Sequence, residues 1–290
     1  MPFVAGSFVL PAVALGFGAA AIALWIYFRR LLQGTTLLAA WWWMLLSLGV
    51  LAISEAWLLA GDVSPAVSQS VRFLTATSSF CPLMAVLGAR RPQHQAWTFV
   101  VATLWGILAM PAAEKLLLQP NQPLEIRDAR SWFLLLLLAI SWANYLPTRY
   151  GAAACLAGAG QTLVLWPYLP WTSPQAWELA PLVGLGCCAA AIGLATWIGP
   201  GREAATGADR LWFDFRNLYG ALWALRGLEQ FNTSAEQNDW PVRLGWSGFQ
   251  ATQEEQPAAL PAPARQAWAN ILRRFLPQER IGRESGLQLD

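Results

Sequence analysis

Long apolar runs separated by short polar loops fill roughly the first 200 residues of the chain. The runs fall at about residues 4–28, 36–60, 71–88, 96–117, 131–147, 151–169 and 178–199. A helix needs about 20 mostly apolar residues to cross a bilayer, with a range of about 17–25. All the runs meet this length, so the pattern predicts an all-α, polytopic membrane bundle of about seven transmembrane helices over residues 1–200.

The charges of the loops predict the orientation of this bundle, because basic residues concentrate in short loops on the cytoplasmic side. With the N-terminus outside, the inner loops contain basic residues and no acidic ones, whereas the outer loops mix both signs. The inner basic residues are Arg29, Arg30, Arg90, Arg91 and Arg149. No basic residue precedes the first run, unlike in a cleaved signal peptide, so we expect a retained helix. The topology is therefore predicted as N-out and C-in, and the short loops suit a bacterial inner membrane.

Composition supports the membrane assignment and narrows the partners. The chain is 56% hydrophobic and 12% charged, whereas soluble domains carry about 25% charged residues. The formal net charge of +2 is close to neutral, and binding to nucleic acid would need a strongly basic surface. Composition therefore predicts the lipid bilayer as a partner and gives no indication of binding to nucleic acid.

Residues 213–232 are as long as a membrane span but carry four charged side chains. Inserting them would cost about 10 kcal/mol, at about 2.5–3.5 kcal/mol for each charge near the bilayer centre. Apolar residues recur here at spacings of three and four, which is typical of an amphipathic helix. The stripe and its aromatic neighbour comprise Leu211, Phe215, Leu218, Leu222, Leu225, Trp212, Tyr219 and Trp223. We therefore predict one long cytoplasmic helix over 209–237.

This helix is too apolar to stand alone in water, so it is expected to bind a protein partner or to dock on the rest of the chain. The candidate partner-binding residues are Leu211, Phe215, Leu218, Leu222 and Trp223.

The remaining tail divides into three predicted parts. A helix and turn over 201–251 precede a Pro-rich linker at 252–264. A basic amphipathic helix follows within 265–290, with Trp268 and Phe275 on its apolar face, and the last dozen residues are predicted to be disordered. Such a helix either lies on an anionic membrane surface or docks on protein.

The sequence offers little of the usual cofactor chemistry. Its only histidine is His94 and its only lysine is Lys115. A transmembrane b-type haem or a histidine metal site needs more than one histidine. The four cysteines lie in apolar runs without a Cys-x-x-Cys spacing, and no phosphate-loop, dinucleotide or zinc-protease motif is present. We predict no cofactor and no metal, and catalysis is not favoured.

Polar residues inside the apolar runs are the candidates for a ligand or transport site. They are Glu55, Ser141, Asn144 and Gln161. A carboxylate at membrane depth is a functional candidate by default, but Glu55 can also pair with Arg72 or lie at the wet outer interface. The other three can line a polar path or form hydrogen bonds between helices, each contributing about 0.6 kcal/mol.

Small residues at 151–160 and 184–195 predict close packing of the sixth and seventh helices.

These patterns leave three functions open. The first is a non-catalytic membrane subunit or assembly scaffold, favoured by the apolar tail helix and the scarcity of reactive side chains. The second is a carrier or binder of a lipid or small molecule that uses Glu55 and the polar positions of the third, fifth and sixth helices. The third is a lipid-modifying enzyme with Glu55 or His94 as acid or base.

Overall fold

A computed structural model describes residues 8–126, 128–172, 178–199, 207–252 and 260–285. Over these residues the protein is predominantly α-helical, with one short two-stranded hairpin. The helices are α1 Val9–Leu32, α2 Leu38–Ala60, α3 Pro65–Ser78, α4 Cys81–Leu87, α5 Trp97–Leu118, α6 Asp128–Tyr145, α7 Gly151–Leu165, α8 Ala180–Ile198, α9 Gly207–Gln237, α10 Ala262–Leu272 and α11 Gln278–Ser285. The strands are β1 Val242–Gly245 and β2 Gly248–Ala251, and a 3-10 helix, Trp166–Tyr168, follows α7.

Five helical segments among the described residues are long and apolar enough to cross a membrane. They are Val9–Arg30, Leu38–Ala60, Pro65–Leu87, Trp97–Leu118 and Ala180–Ile198. The segment Pro65–Leu87 combines α3 and α4, which are separated by a break near Pro82 because proline lacks a backbone N–H. The predicted spans 131–147 and 151–169 correspond to α6 and α7, and α7 has only 15 residues before it tightens into the 3-10 helix.

The outer surface of these helices is strongly apolar. Phe99, Leu117 and Trp197 expose 76%, 81% and 83% of their surface. A continuous apolar surface of this kind is unfavourable in water, whereas lipid tails cover it without cost. The exposed side chains are therefore consistent with a multi-pass membrane protein.

Helices α7 and α8 pack on each other, which confirms the close contact predicted from their small residues. The contact centres on two glycines that face each other. A Cβ atom on Gly160 would lie 2.7 Å from the Gly184 carbonyl oxygen, and one on Gly184 would lie 2.6 Å from the Gly160 carbonyl oxygen. The two backbones can approach this closely only without side chains at these positions.

The tail forms its own aromatic core. Trp212, Phe215 and Tyr219 of α9 are fully buried against Trp268 of α10 and Phe275. Burial raises the pKa of Tyr219 to about 12, so its phenol stays neutral at physiological pH.

The hairpin is held to α9 by side chains that bond its backbone. Asn232 donates to the Leu244 carbonyl at 2.9 Å and accepts from the Leu244 N–H at 2.8 Å. Asp209 accepts from the Phe249 N–H at 2.8 Å. The sequence predicts only a turn here, since each strand has just four residues. The hairpin is stabilised by these contacts with residues of α9, which are distant in sequence from the strands.

Two further details of the tail differ from the sequence-based expectations. Helix α9 is not continuous, since Gly220 has φ +78° and ψ −179° and separates two helical halves. Helix α11, Gln278–Ser285, occupies part of the predicted disordered end, and Ile281 within it is fully buried. Residues 286–290 and most of the predicted linker, 253–259, lie outside the described residues.

The tail core is bonded to the membrane helices at several points. Thr36 Oγ1 donates to the Ala89 carbonyl at 2.6 Å and lies 3.1 Å from the Tyr219 hydroxyl. Tyr219 donates to the Phe275 carbonyl at 2.9 Å, and Trp223 Nε1 donates to the Val86 carbonyl at 2.8 Å. The long tail helix therefore docks on the rest of its own chain.

We expect Gly160→Ala to lower the melting temperature of the detergent-solubilised protein. The added methyl group meets backbone rather than a flexible side chain, and overpacking of this kind costs about 1–3 kcal/mol. Gly106→Ala is the matched control, because nothing lies within 4 Å of a Cβ atom there and alanine favours a helix. Equal melting temperatures for the two variants would contradict the assigned α7–α8 contact.

Candidate functional site

A cavity of about 290 Å³ lies between α1, α2, α4, α6, α7 and α8, and residues of α9 close one end. Its wall is mostly apolar and is rich in aromatic side chains, namely Trp25, Phe28, Trp41, Trp142, Tyr145 and Tyr150. Five lining residues carry neutral polar side chains, Ser47, Ser79, Ser141, Gln161 and Asn217. No charged side chain and no histidine is among the described residues that line it.

Two tryptophans form the rigid part of this wall. Trp25 Nε1 donates to the Trp41 carbonyl at 3.1 Å, and Trp41 Nε1 donates to the Trp25 carbonyl at 3.0 Å. Trp25 also stacks on Phe28 with ring centroids 5.6 Å apart. Because both indole N–H groups bond to backbone, each ring is fixed between α1 and α2.

The sequence "WWW" contains the only hint of this arrangement. Three successive residues point in three directions around a helix, so at most one of them faces the bundle interior. The structure places Trp41 inside, 3% exposed, whereas Trp42 is 56% exposed. Which tryptophan faces inward depends on the packing of α2 against α1. The sequence favours membrane anchoring and packing for this run over a ligand cage, and it does not select Trp25.

Two of the polar residues predicted as candidates line the cavity together. Gln161 of α7 donates through Nε2 to Ser79 Oγ at 2.9 Å and to the Ser79 carbonyl at 3.3 Å. This bond connects α7 to the break between α3 and α4. Ser141 of α6 donates to the Leu137 carbonyl at 2.8 Å, one helical turn earlier. The cavity therefore brings Ser141 and Gln161 into one site.

Asn144 does not line the cavity but supports its floor at the break in α9. Asn144 is 1% exposed, and its Oδ1 accepts from the Leu222 N–H at 3.0 Å. The neighbouring Tyr145 hydroxyl donates to the Leu218 carbonyl at 3.2 Å. In an unbroken helix the Leu222 N–H would bond to the Leu218 carbonyl. The break at Gly220 separates these two groups, and the end of α6 bonds to both.

Gly220 is required for this contact. Its φ of +78° is a conformation that residues with a Cβ atom rarely adopt. A Cβ atom there would also overlap the Asn144 side chain. The glycine therefore allows both the break and the close approach of α6.

Glu55 lies outside the cavity and is paired with Arg72, which is one of the arrangements considered from the sequence. Arg72 Nε donates to Glu55 Oε1 at 2.9 Å and the Arg72 NH2 group donates to Oε2 at 3.0 Å. Glu55 is 2% exposed and lies one helical turn beyond Leu51, the last residue of α2 in the cavity wall. Such a bidentate pair connects α2 to α3 and leaves both carboxylate oxygens bonded.

The partner-binding candidates of the tail are mostly covered by the chain itself. Leu211 and Phe215 are fully buried, and Trp223 is 8% exposed and contacts Phe275 at a centroid distance of 5.0 Å. Leu218 lines the cavity floor. Leu222 is the exposed member of the set, at 39%.

Comparison with protein-family models, curated proteins and solved structures gives no match for this chain.

We expect Glu55→Gln to destabilise the protein by roughly 3 kcal/mol, because breaking a buried pair leaves Arg72 without its counter-charge. The double variant Glu55→Leu/Arg72→Leu should recover most of the loss, since replacing both partners by apolar residues is often neutral. Thermal melting in detergent measures both effects. An unchanged melting temperature for Glu55→Gln would show that the Glu55–Arg72 pair does not stabilise the contact between α2 and α3.

We expect Asn144→Leu to loosen α9 at the break, because the Leu222 N–H loses its acceptor and the loss of one hydrogen bond costs about 0.5–1.5 kcal/mol. Hydrogen exchange followed by mass spectrometry should show faster exchange in peptides that contain Leu222. Asn238→Leu is the control, because Asn238 is exposed and bonds only within its own helix, at Ser234. If the two variants exchange alike around Leu222, Asn144 does not hold the break.

Proposed function

We propose that this protein binds an apolar small molecule or lipid in the cavity between its membrane helices. The observation that carries this proposal is the volume of about 290 Å³ between the helices, lined by aromatic and aliphatic side chains. Protein interiors are close-packed and leave few voids larger than a water molecule. Ligand pockets have volumes of about 300–1,000 Å³ and are mostly apolar with a few placed polar groups.

The chemistry of the wall favours binding over catalysis. General acid–base catalysis needs a titratable group near neutral pH within reach of the substrate. The described lining residues include no carboxylate and no histidine, and Glu55 is bonded to Arg72 outside the cavity. A binder or carrier function requires only the apolar wall and the polar positions Ser141 and Gln161.

The contacts of the tail also favour a binder over a scaffold. The scaffold hypothesis depended on an apolar tail helix that needed an external partner. The aromatic face of α9 is covered by α10, Phe275 and the membrane helices of the same chain. A role for this tail within the protein accounts for its apolar residues, because it closes the cavity through Asn217 and Leu218.

The proposal includes the finer topology, a seven-helix bundle in a bacterial inner membrane with the N-terminus outside and the tail in the cytoplasm. The arrangement of basic residues supports this orientation. The Arg91 N–H donates to the Arg274 carbonyl of the tail at 2.8 Å, and Arg149 bonds to the end of α8 at the Ile198 carbonyl. Arg29 at the end of α1 lies over the Trp41 ring. The basic loops therefore adjoin the tail, as the positive-inside rule predicts for a cytoplasmic face.

The test is to fill the cavity. We expect Ala157→Trp, on the wall formed by α7, to abolish binding of the molecule that co-purifies with the protein. Ala102→Trp is the matched control because Ala102 is exposed on the outer surface of α5. Native mass spectrometry of gently solubilised protein should show the same bound mass in the wild type and in Ala102→Trp, and no bound mass in Ala157→Trp.

The absence of any bound mass in the wild type would contradict the proposal. So would an equal amount of bound mass in all three proteins.

A further inference from the structure

We infer that the ligand is a neutral lipid with a carbonyl oxygen at one end, and that Asn217 of the tail binds this oxygen. The inference rests on the proposed function and adds the class and the orientation of the ligand. It also assigns a binding residue, Asn217, that was not among the candidates predicted from the sequence. A donor group of the wall can bind a ligand only if it does not already have a hydrogen-bond partner.

The carboxamide of Asn217 has a fixed orientation. Asn217 Oδ1 accepts from the Arg149 N–H at 3.2 Å and from Arg216 Nε at 3.4 Å. Because both of these groups are donors, the oxygen of the amide lies toward them and the NH2 group lies on the other side. Asn217 is 8% exposed and lines the cavity.

The NH2 group of Asn217 has no hydrogen-bond partner within the part of the chain that the structure describes. This nitrogen is not among the fully buried atoms that lack a partner, so it is accessible, and a two-proton donor at the floor of an apolar cavity is available to an acceptor of a ligand. A carbonyl oxygen of a ligand supplies such an acceptor.

Most of the other donors of the wall are bonded to backbone or to each other. Trp25 and Trp41 bond reciprocally, and Gln161 uses its NH2 group on Ser79. Ser47, Ser141, Tyr145 and Tyr150 each donate to a backbone carbonyl. The Trp142 N–H has no partner either, but it is fully buried beside Gly158, so a molecule in the cavity does not reach it. Asn217 is therefore the donor that a ligand oxygen can reach.

Charge excludes an anionic head group at this position. No positive side chain is among the described residues that line the cavity. Arg216 directs its guanidinium to Asn217 Oδ1, the Trp246 carbonyl and the rings of Phe213 and Trp246. A carboxylate or phosphate among the aromatic rings would lose its hydration without a counter-charge. A neutral carbonyl needs only one hydrogen bond there.

The position of Asn217 also orients the ligand. Asn217 lies at the end of the cavity closed by α9, whereas Leu48 and Leu51 of α2 line the opposite part. The carbonyl end of the ligand therefore lies next to the tail, and the hydrocarbon part extends between Trp25, Trp41 and the leucines of α2. In this arrangement the tail is part of the binding site.

The test uses two radiolabelled probes of equal chain length, 2-pentadecanone and n-pentadecane, with detergent-solubilised protein immobilised on beads. We expect the wild type to bind the ketone roughly 10-fold more tightly than the hydrocarbon, as the loss of one buried hydrogen bond implies. Asn217→Asp keeps an acceptor for Arg149 and Arg216 but replaces the NH2 group by oxygen. In this variant the ketone should bind no more tightly than the hydrocarbon.

The outcomes separate this inference from the proposed function. Equal binding of both probes to the wild type overturns the role of Asn217, and this comparison needs no variant to fold. An unchanged ketone preference in Asn217→Asp, with a melting temperature like that of the wild type, overturns it as well. In both cases the cavity remains the binding site if Ala157→Trp binds neither probe. Failure of both probes to bind the wild type, or unchanged binding of both to Ala157→Trp, overturns the proposed function itself.

Discussion

The break in α9 at Gly220 is the constraint on which the arrangement of the tail and the cavity depends. A single straight helix of 31 residues would extend about 46 Å at 1.5 Å per residue and could not follow the inner face of the bundle. The positive φ of Gly220 changes the direction of the chain between Tyr219 and Trp223. Residues before the break reach the cavity floor and Thr36, whereas Trp223 after it reaches the end of α4 at Val86.

The break exposes backbone groups, and α6 satisfies them. A backbone N–H or C=O that is buried without a partner costs about as much as a lost hydrogen bond, so helices rarely end inside a protein without a cap. Asn144 and Tyr145 bond the Leu222 N–H and the Leu218 carbonyl. The same two residues therefore lie at the end of α6, stabilise a broken tail helix and hold the floor of the cavity. Polar side chains near the end of α6 are explained by this role as well as by any ligand.

The sequence predicted those features that depend on local pattern. Apolar runs are sufficient to predict helices α1, α2, α5 and α8, and runs of small residues predict the contact of α7 with α8. The pairing of Glu55 with Arg72 was one of the two alternatives to a functional role that the sequence left open for this carboxylate.

Features that depend on contacts between distant residues were not predicted. The break at Gly220 follows from the position of Asn144, which is 76 residues earlier in the chain. Trp41, which is buried, and Trp42, which is exposed, are adjacent and identical residues, so only the packing of neighbouring helices distinguishes them. The hairpin at 242–251 is too short to show the alternation that would distinguish it from a turn.

An apolar cavity persists in a bundle only if its walls cannot collapse into it, and the hydrogen bonds of the wall explain why they do not. Trp25 and Trp41 each bond to the backbone of the other, so neither indole can rotate into the space without leaving a buried N–H unsatisfied. Gln161 is fixed on Ser79 in the same way. These hydrogen-bonded side chains on α1, α2 and α7 thus keep the aromatic wall from collapsing into the cavity. The tail covers the floor of the cavity at Asn217 and Leu218. A hydrophobic ligand entering this space would gain contacts with rings that are already oriented, so little conformational freedom is lost on binding.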